Sequence, residues 1–183
     1  EDNGHKFAAF IIDTTLEANG IFAIPMTYLS KSQEIIREAG GLFIADEVQG
    51  GFGRMGDTMW SFERHDVTPD LITVGKPMAN GLPMGAVIGT ANVINQFFRK
   101  HRYFNTFGGN AVCAAAGLAT LRVIQRERLL DNSRSVGKYL FDKCSKLMEK
   151  HEVIGHVRGA GLFVGIEFVE DRDSKKPAPV IAT

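Results

Sequence analysis

The apolar positions fall into short runs separated by amphipathic stretches. "FAAFIID" (7–13) is almost wholly apolar and reads as a strand buried on both faces. "LSKSQEIIREAGG" has helical spacing, with Ser30 as N-cap, Gln33 as its capping-box partner and Gly40 or Gly41 at the C-cap. "LFIA" (42–45) is a second buried strand that stops at Asp46. Strand, helix and strand in this order predict a βαβ unit and a parallel sheet. "MWSFERH" is a short helical or irregular stretch, and a third strand follows at 71–74 in "PDLITVGK" and a fourth at 84–90 in "MGAVIGT". Helices are expected over 91–100, over 110–130 with Leu118, Leu121 and Ile124 at core spacing, and from about Ser133 to Lys150. From 153 to 169 the pattern changes to strand-like alternation around glycines. The expected architecture is therefore α/β with a mostly parallel sheet over 1–135, then a linker helix and the beginning of a smaller α+β domain over 136–183.

Composition narrows the function classes. The 183 residues are 44% apolar and 23% charged, the mix of a soluble globular protein. Lys plus Arg (21) equals Asp plus Glu (21), which gives no basic surplus for nucleic acid or a membrane surface. No apolar run approaches the roughly 18 residues of a membrane span. The start, "EDNGHK", is acidic and has the features of neither a signal nor a transit peptide. A chain that begins at Glu1 and ends in "VIAT" reads as a processed chain or a piece of a longer one. Cys113 and Cys144 fall in helical segments without a CxxC spacing, which fits free thiols in a reducing compartment, and a cytoplasmic location is expected with a mitochondrial one as the alternative.

Several motifs match in part and fail on context. Gly51-Phe52-Gly53-Arg54-Met55-Gly56 satisfies G-x-G-x-x-G, but the loop does not follow directly on a strand and opens no good helix, so a dinucleotide fingerprint is rejected. Gly75-Lys76 resembles the end of a phosphate loop, yet Asp70 stands where the first glycine is needed and Pro77 where Ser or Thr is needed. There is no G-x-S-x-G elbow, and the five histidines have no metal-ligand spacing and read as solvated or capping residues.

Three features survive. "LFIADEVQGGFGRMG" (42–56) places Asp46 and Glu47 at the end of a buried strand, where an unpaired charge is costly unless it has a partner. "TVGKPMANG" places Lys76 at the end of the next strand, and "YFNTFGGNA" places Thr106 in a glycine-rich turn before a helix. Ligands of open α/β sheets bind beyond the carboxyl ends of strands, and a helix start suits phosphate oxygens. A mostly buried lysine loses its proton readily and attacks carbonyls. Lysine, carboxylate and phosphate cradle are together what pyridoxal phosphate requires. Each residue also has an ordinary reading: Lys76 at the surface, Asp46 as a turn cap, Thr106 as an N-cap.

Over nearly the whole chain, "LFIADEVQGGFGRMG", "PDLITVGKPMANGLPMGAVI", "YFNTFGGNAVCAAAGLATL" and "VIGHVRGAGLFVGIEFVED" resemble, in order, the class III (ω-amino acid type) aminotransferases. These are pyridoxal-phosphate-dependent transferases of fold type I. "GKPMANG" and "RYFNTFGG" are most similar to the branch that holds alanine–glyoxylate aminotransferase 2 and ethanolamine-phosphate phospho-lyase. The resemblance implies that Lys76 carries the cofactor as a Schiff base and shuttles a proton. It implies that Asp46 pairs with the pyridinium nitrogen, Val48 packs on a ring face and Gln49 bonds near the ring hydroxyl. Thr106 is then expected to reach the phosphate of a neighbouring subunit's cofactor, in a homodimer with shared sites, while Arg158 is structural.

The departures matter as well. Asp13-Thr14-Thr15-Leu16 stands where the family usually has Glu-Pro-x-Gln, and Ala18 falls where many members place a gating glutamate. The chain is also much shorter than family members. The reading is a class III aminotransferase moving an amino group from an amine or amino acid to a keto acid. The alternatives are a phospho-lyase on a phosphorylated amine such as ethanolamine phosphate, and an inactive fragment.

Overall fold

The computed structural model describes residues 4–182. Four strands form the main sheet: β1 (Ala9–Asp13), β2 (Leu42–Asp46), β3 (Leu71–Val74) and β4 (Ala86–Gly89), in the order β1-β2-β3-β4. The first three are parallel and β4 is antiparallel to β3. Helix α1 (Met26–Glu38) crosses from β1 to β2, as a βαβ unit requires. The core lies between α1, the sheet and a short 3₁₀ helix (Ser61–His65), where Leu29, Phe43, Ala45, Phe62 and Val67 are buried.

β1 is a correction. It was expected to be buried on both faces, but its exposure alternates and Ile11 is 58% exposed. The strand sits at the sheet edge with α1 on one side only, so every second side chain faces outward. The start of α1 is another. Pro25, with φ −55° and ψ 138°, occupies the N-cap, so the helix begins before Ser30. Ser30 donates instead to the Thr27 carbonyl from within the helix, and Gln33 is buried and donates to the Thr68 carbonyl at 2.7 Å. Gly40 ends the helix with φ +76°, as read from the sequence.

Helix α2 (Ala91–Lys100) matches its expected range. The predicted 110–130 helix divides: α3 (Ala111–Arg126) and α4 (Leu129–Lys150) are separated by Arg128 in left-handed conformation. Ile124 is buried, but Leu118 and Leu121 are 48% and 39% exposed, because only one narrow stripe of α3 meets the rest of the structure. No described helix is long and apolar enough to cross a membrane.

The second sheet is an antiparallel set of β5 (Ile154–Ala160), β6 (Phe163–Asp171) and β7 (Lys176–Pro177). α4 packs on it by setting Cys144, with Phe141 and Met148 alongside, against Ile154 and Val157 of β5. The mostly parallel first sheet expected from the sequence is therefore present, followed by an antiparallel sheet packed on α4.

The turn at 50–56 explains its glycines. The Arg54 carbonyl accepts from Ser133 Oγ at 2.7 Å and from Leu162 N–H at 3.1 Å. A Cβ on Gly56, which has φ +88°, would stand 2.8 Å from the Arg134 backbone nitrogen. A Cβ on Gly137 of α4 would stand 2.0 Å from the Gly161 carbonyl oxygen. The G-x-G-x-x-G segment is thus a joint that lets the first unit, α4 and the β5–β6 hairpin meet backbone to backbone.

Candidate functional site

Because β2 and β3 are parallel, their carboxyl ends lie side by side, with Asp46 paired in register with Thr73 and Asp13 in register with Asp46. Asp13 is occupied with its own turn. It accepts from Thr15 N–H, Thr15 Oγ1 and Glu17 N–H at 2.6–2.9 Å. Asp46 is half-buried, and its Oδ1 accepts from the Val48 N–H and the Thr73 hydroxyl, both at 3.0 Å. Among the described residues Oδ2 has no hydrogen-bond partner. Two donors on one oxygen fix the carboxylate plane and leave the other oxygen available.

Glu47 answers the other half of the question posed by the paired carboxylates, and the sequence reading missed it. Its side chain is fully buried. It accepts from Ser61 N–H and Phe62 N–H at 2.9 Å, from Ser61 Oγ at 2.6 Å and from Thr14 Oγ1 at 3.2 Å. The donors are the first N–H groups of the 3₁₀ helix, which lack partners within the helix. Burial raises its carboxyl above the ordinary range, and the bonds from Ser61, Phe62 and Thr14 pull the other way without cancelling it. Its partners all belong to the protein, so it ties the β2 end to residues 61–62. The only sequence signal was an acid next to Asp46 and a Ser fourteen positions on.

Lys76 follows β3 by one glycine. A Cβ on Gly75 would lie 3.5 Å from Val48 Cγ1, so Val48 rests against the turn that leads to the lysine. Lys76 is exposed, which corrects the expectation of a mostly buried side chain. The strand ends at the sheet rim, and the turn over 76–81 carries the residue outward. Lys76 lines a cavity of about 300 Å³ with Val48, Gln49, Arg54, Asn80 and Phe163. Val48, Gln49 and Lys76 are therefore brought together, with Asp46 just behind Val48 in the chain. The Gln49 amide donates to Glu17.

Thr106 is not brought to this cavity. It sits in an exposed turn in which Asn105 Oδ1 accepts from Phe107 N–H at 3.1 Å and Gly108 N–H at 3.0 Å. The α3 N-terminus is capped by Asn110, which accepts from Val112 N–H and Cys113 N–H. His65 also departs from expectation. It is buried, its Nδ1 has no partner among the described residues, and burial together with the Arg64 charge lowers its pKa. Arg158 bears out its structural reading in its contacts. It donates to the Gly20 carbonyl at 2.7 Å, pairs with Glu167 at 2.5 Å and stacks over Phe22 at 4.7 Å. Among the described residues no cluster of His, Cys, Asp and Glu could hold a metal ion.

The aminotransferase class-III family model matches residues 1–182. The chain belongs to the class-III aminotransferases. Within that family it is 49% identical over 175 residues to alanine–glyoxylate aminotransferase 2 homolog 2, mitochondrial, of Arabidopsis thaliana, covering 96% of this chain and 36% of the relative. It is 44% identical to the human alanine–glyoxylate aminotransferase 2, mitochondrial, covering 95% of this chain and 34% of the relative. It thus spans about a third of the length of these curated relatives. Among solved structures, a phospholyase from Arthrobacter in complex with phosphoethanolamine superposes with a TM-score of 0.94 at 42% identity, over 98% of this chain and 43% of that one. A taurine:2-oxoglutarate aminotransferase from Bifidobacterium kashiwanohense, in complex with PLP and glutamate, has a TM-score of 0.87 at 26% identity over 92% of this chain and 38% of that one. The branch resemblance read from "GKPMANG" and "RYFNTFGG" is borne out by these relatives.

Proposed function

We propose that this polypeptide is the central part of a pyridoxal-phosphate-dependent aminotransferase that moves an amino group from an amine or amino acid to a keto acid. The observation that carries the reading is the placement of Asp46 at the end of β2 and Lys76 just past the end of the adjacent parallel β3, with Val48 and Gln49 beside the lysine. The free Oδ2 of Asp46, on a carboxylate already oriented by Val48 and Thr73, fits a protonated ring nitrogen. Bound pyridoxal phosphate would supply an electron sink that acidifies the carbon bearing the substrate nitrogen. Lys76 would hold the cofactor covalently through Nζ and carry the proton. Val48 would cover one ring face, and Gln49 would lie by the ring hydroxyl. Thr106, remote from the cavity in this chain, would serve the phosphate of a partner's cofactor in a homodimer, and its exposed turn is compatible with that role.

The division at 135/136 belongs to the same reading, with 1–135 as part of the large cofactor-binding domain and 136–183 as the linker helix and start of the small one. The second sheet, which lies wholly beyond that point, supports it, although α4 (Leu129–Lys150) runs across the boundary itself. A cytoplasmic location rests on the two free cysteines. The mitochondrial names of the plant and human relatives favour the mitochondrion as the alternative.

A phospho-lyase acting on a phosphorylated amine is the second reading. It is favoured by the similarity to the phosphoethanolamine-bound phospholyase. The test is an absorbance scan of the purified protein with pyridoxal phosphate, before and after borohydride, beside Lys76→Ala. A band that borohydride fixes covalently, and that the variant lacks, is expected. A band that persists in Lys76→Ala overturns the assignment, and no band in either protein marks a fragment without chemistry. Phosphate release against amino transfer then separates the two readings.

A further inference from the structure

We propose that Arg54 is the anion-reading residue of the Lys76 cavity, selecting amines that carry a carboxylate or phosphate. The proposal rests on the reading of Lys76 given above. Among the described residues the lining of the cavity holds two cations, Lys76 and Arg54, the two amides of Gln49 and Asn80, and no carboxylate, with Asp46 and Glu17 standing behind Val48 and Gln49. Such a set attracts anions, and in a partly enclosed space between protein walls the attraction is stronger than on open surface. Among the described residues the Arg54 guanidinium has no ion pair or hydrogen bond, which is also true of Arg99, Arg102 and Arg122, but of these four only Arg54 lines the Lys76 cavity. Free Arg donors arranged as a fork match carboxylate and phosphate oxygens.

Its backbone, in contrast, is held firmly. The Arg54 carbonyl accepts from Ser133 Oγ and Leu162 N–H, and the Gly161 backbone abuts it so closely that a Cβ there would stand 2.5 Å from that oxygen. The residue is therefore anchored at the joint between the first sheet, α4 and the β5–β6 hairpin, which also sends Phe163 into the same cavity. The hairpin thereby couples its docking to the position of an exposed arginine that lines the Lys76 cavity. A glycine joint and an unpaired arginine in one turn make sense together: the turn is rigid and the side chain is free to meet a ligand.

The test uses the full-length protein loaded with pyridoxal phosphate and compares wild type with Arg54→Gln and Arg54→Lys. Three amines of similar length serve as probes: β-alanine (carboxylate), phosphoethanolamine (phosphate) and propylamine (no anion). The KM ratio of each anionic amine to propylamine is expected to rise at least tenfold in Arg54→Gln and to recover in part in Arg54→Lys. A rise confined to β-alanine identifies a carboxylate reader, one confined to phosphoethanolamine a phosphate reader, and either supports the proposal. Equal changes for all three amines, or none, overturn it. Direct calorimetric titration with propionate and methylphosphonate gives a readout independent of turnover. Weakening of at least tenfold for one of them in Arg54→Gln is expected, and unchanged affinity for both overturns the proposal. Failure of the borohydride test on Lys76 leaves the titration result standing, so the two readings fail separately.

Discussion

Replacing Glu47 by Gln tests whether a buried carboxylate, rather than apolar packing alone, holds the end of β2 to the 3₁₀ helix. An amide can keep its oxygen on the side where Phe62 N–H, Ser61 Oγ and Thr14 Oγ1 arrive. Its NH₂ then faces Ser61 N–H, which donates to Oε2 at 2.9 Å in the native protein. A buried N–H without an acceptor costs about 1–3 kcal/mol, and it confronts a second unpaired donor, so a loss of about 2–3 kcal/mol is expected near neutral pH. Glu47→Ala leaves both backbone donors open and is expected to lose about 3–5 kcal/mol. Urea unfolding followed by the fluorescence of Trp60, the single tryptophan and the residue next to Ser61, reads both changes. An unchanged slope against urea shows that the midpoint shift is a change in stability. The pH dependence is more specific. Burial holds the folded carboxyl above its ordinary value of 4.5, so above that pH the folded chain keeps a proton that the unfolded chain releases. Stability from this group is then fully present below the unfolded value and is lost as pH rises through the folded one. The stability gap between wild type and Glu47→Gln is therefore expected to be larger at about pH 5 than at about pH 8. A gap that is flat, or that widens with pH, refutes the claim that desolvation outweighs the four donors.

Two further substitutions probe the joint. Gly137→Ala lies in a helix, where alanine ordinarily gains about 1 kcal/mol, but its Cβ would meet the Gly161 carbonyl at 2.0 Å. A loss of at least about 3 kcal/mol in thermal or urea unfolding is expected, and any stabilisation shows that α4 and the hairpin do not pack as described. Arg158→Met removes the link between β5 and the Gly20 carbonyl and leaves Glu167 unpaired. A loss of about 2–3 kcal/mol is expected, with Arg158→Lys recovering less than half because an ammonium cannot donate in two directions and stack on Phe22 at once.

Much of the fold was legible in local patterns. The β2 and β3 runs end where expected because each is short, β-branched or aromatic in part, and cut off by polar or glycine residues. Helix ends were less legible. Ser30 looked like a cap because capping is recognised from a few residues, while Pro25 decided the start by its fixed backbone angle. Leu118 and Leu121 show that periodicity identifies a face but not whether anything covers it.

The candidate site divides in the same way. Asp46 and Lys76 could be picked out from the sequence because residues that follow buried strands of a parallel sheet must emerge on one rim. That determination is local and topological, and the chain order carries it. The rest depended on contacts between residues far apart in sequence. Glu47 acquires its meaning only from Ser61 and Thr14, and Arg54 only from sharing a cavity with Lys76 and Phe163. Gly53 and Gly56, part of the segment that satisfied the dinucleotide pattern, serve the approach of α4. Hydrophobic periodicity acts over a few residues and can be read from the chain. Hydrogen-bond satisfaction, close backbone approach and the sign of charge in a cavity depend on what folding brings together, and only the tertiary structure decided them.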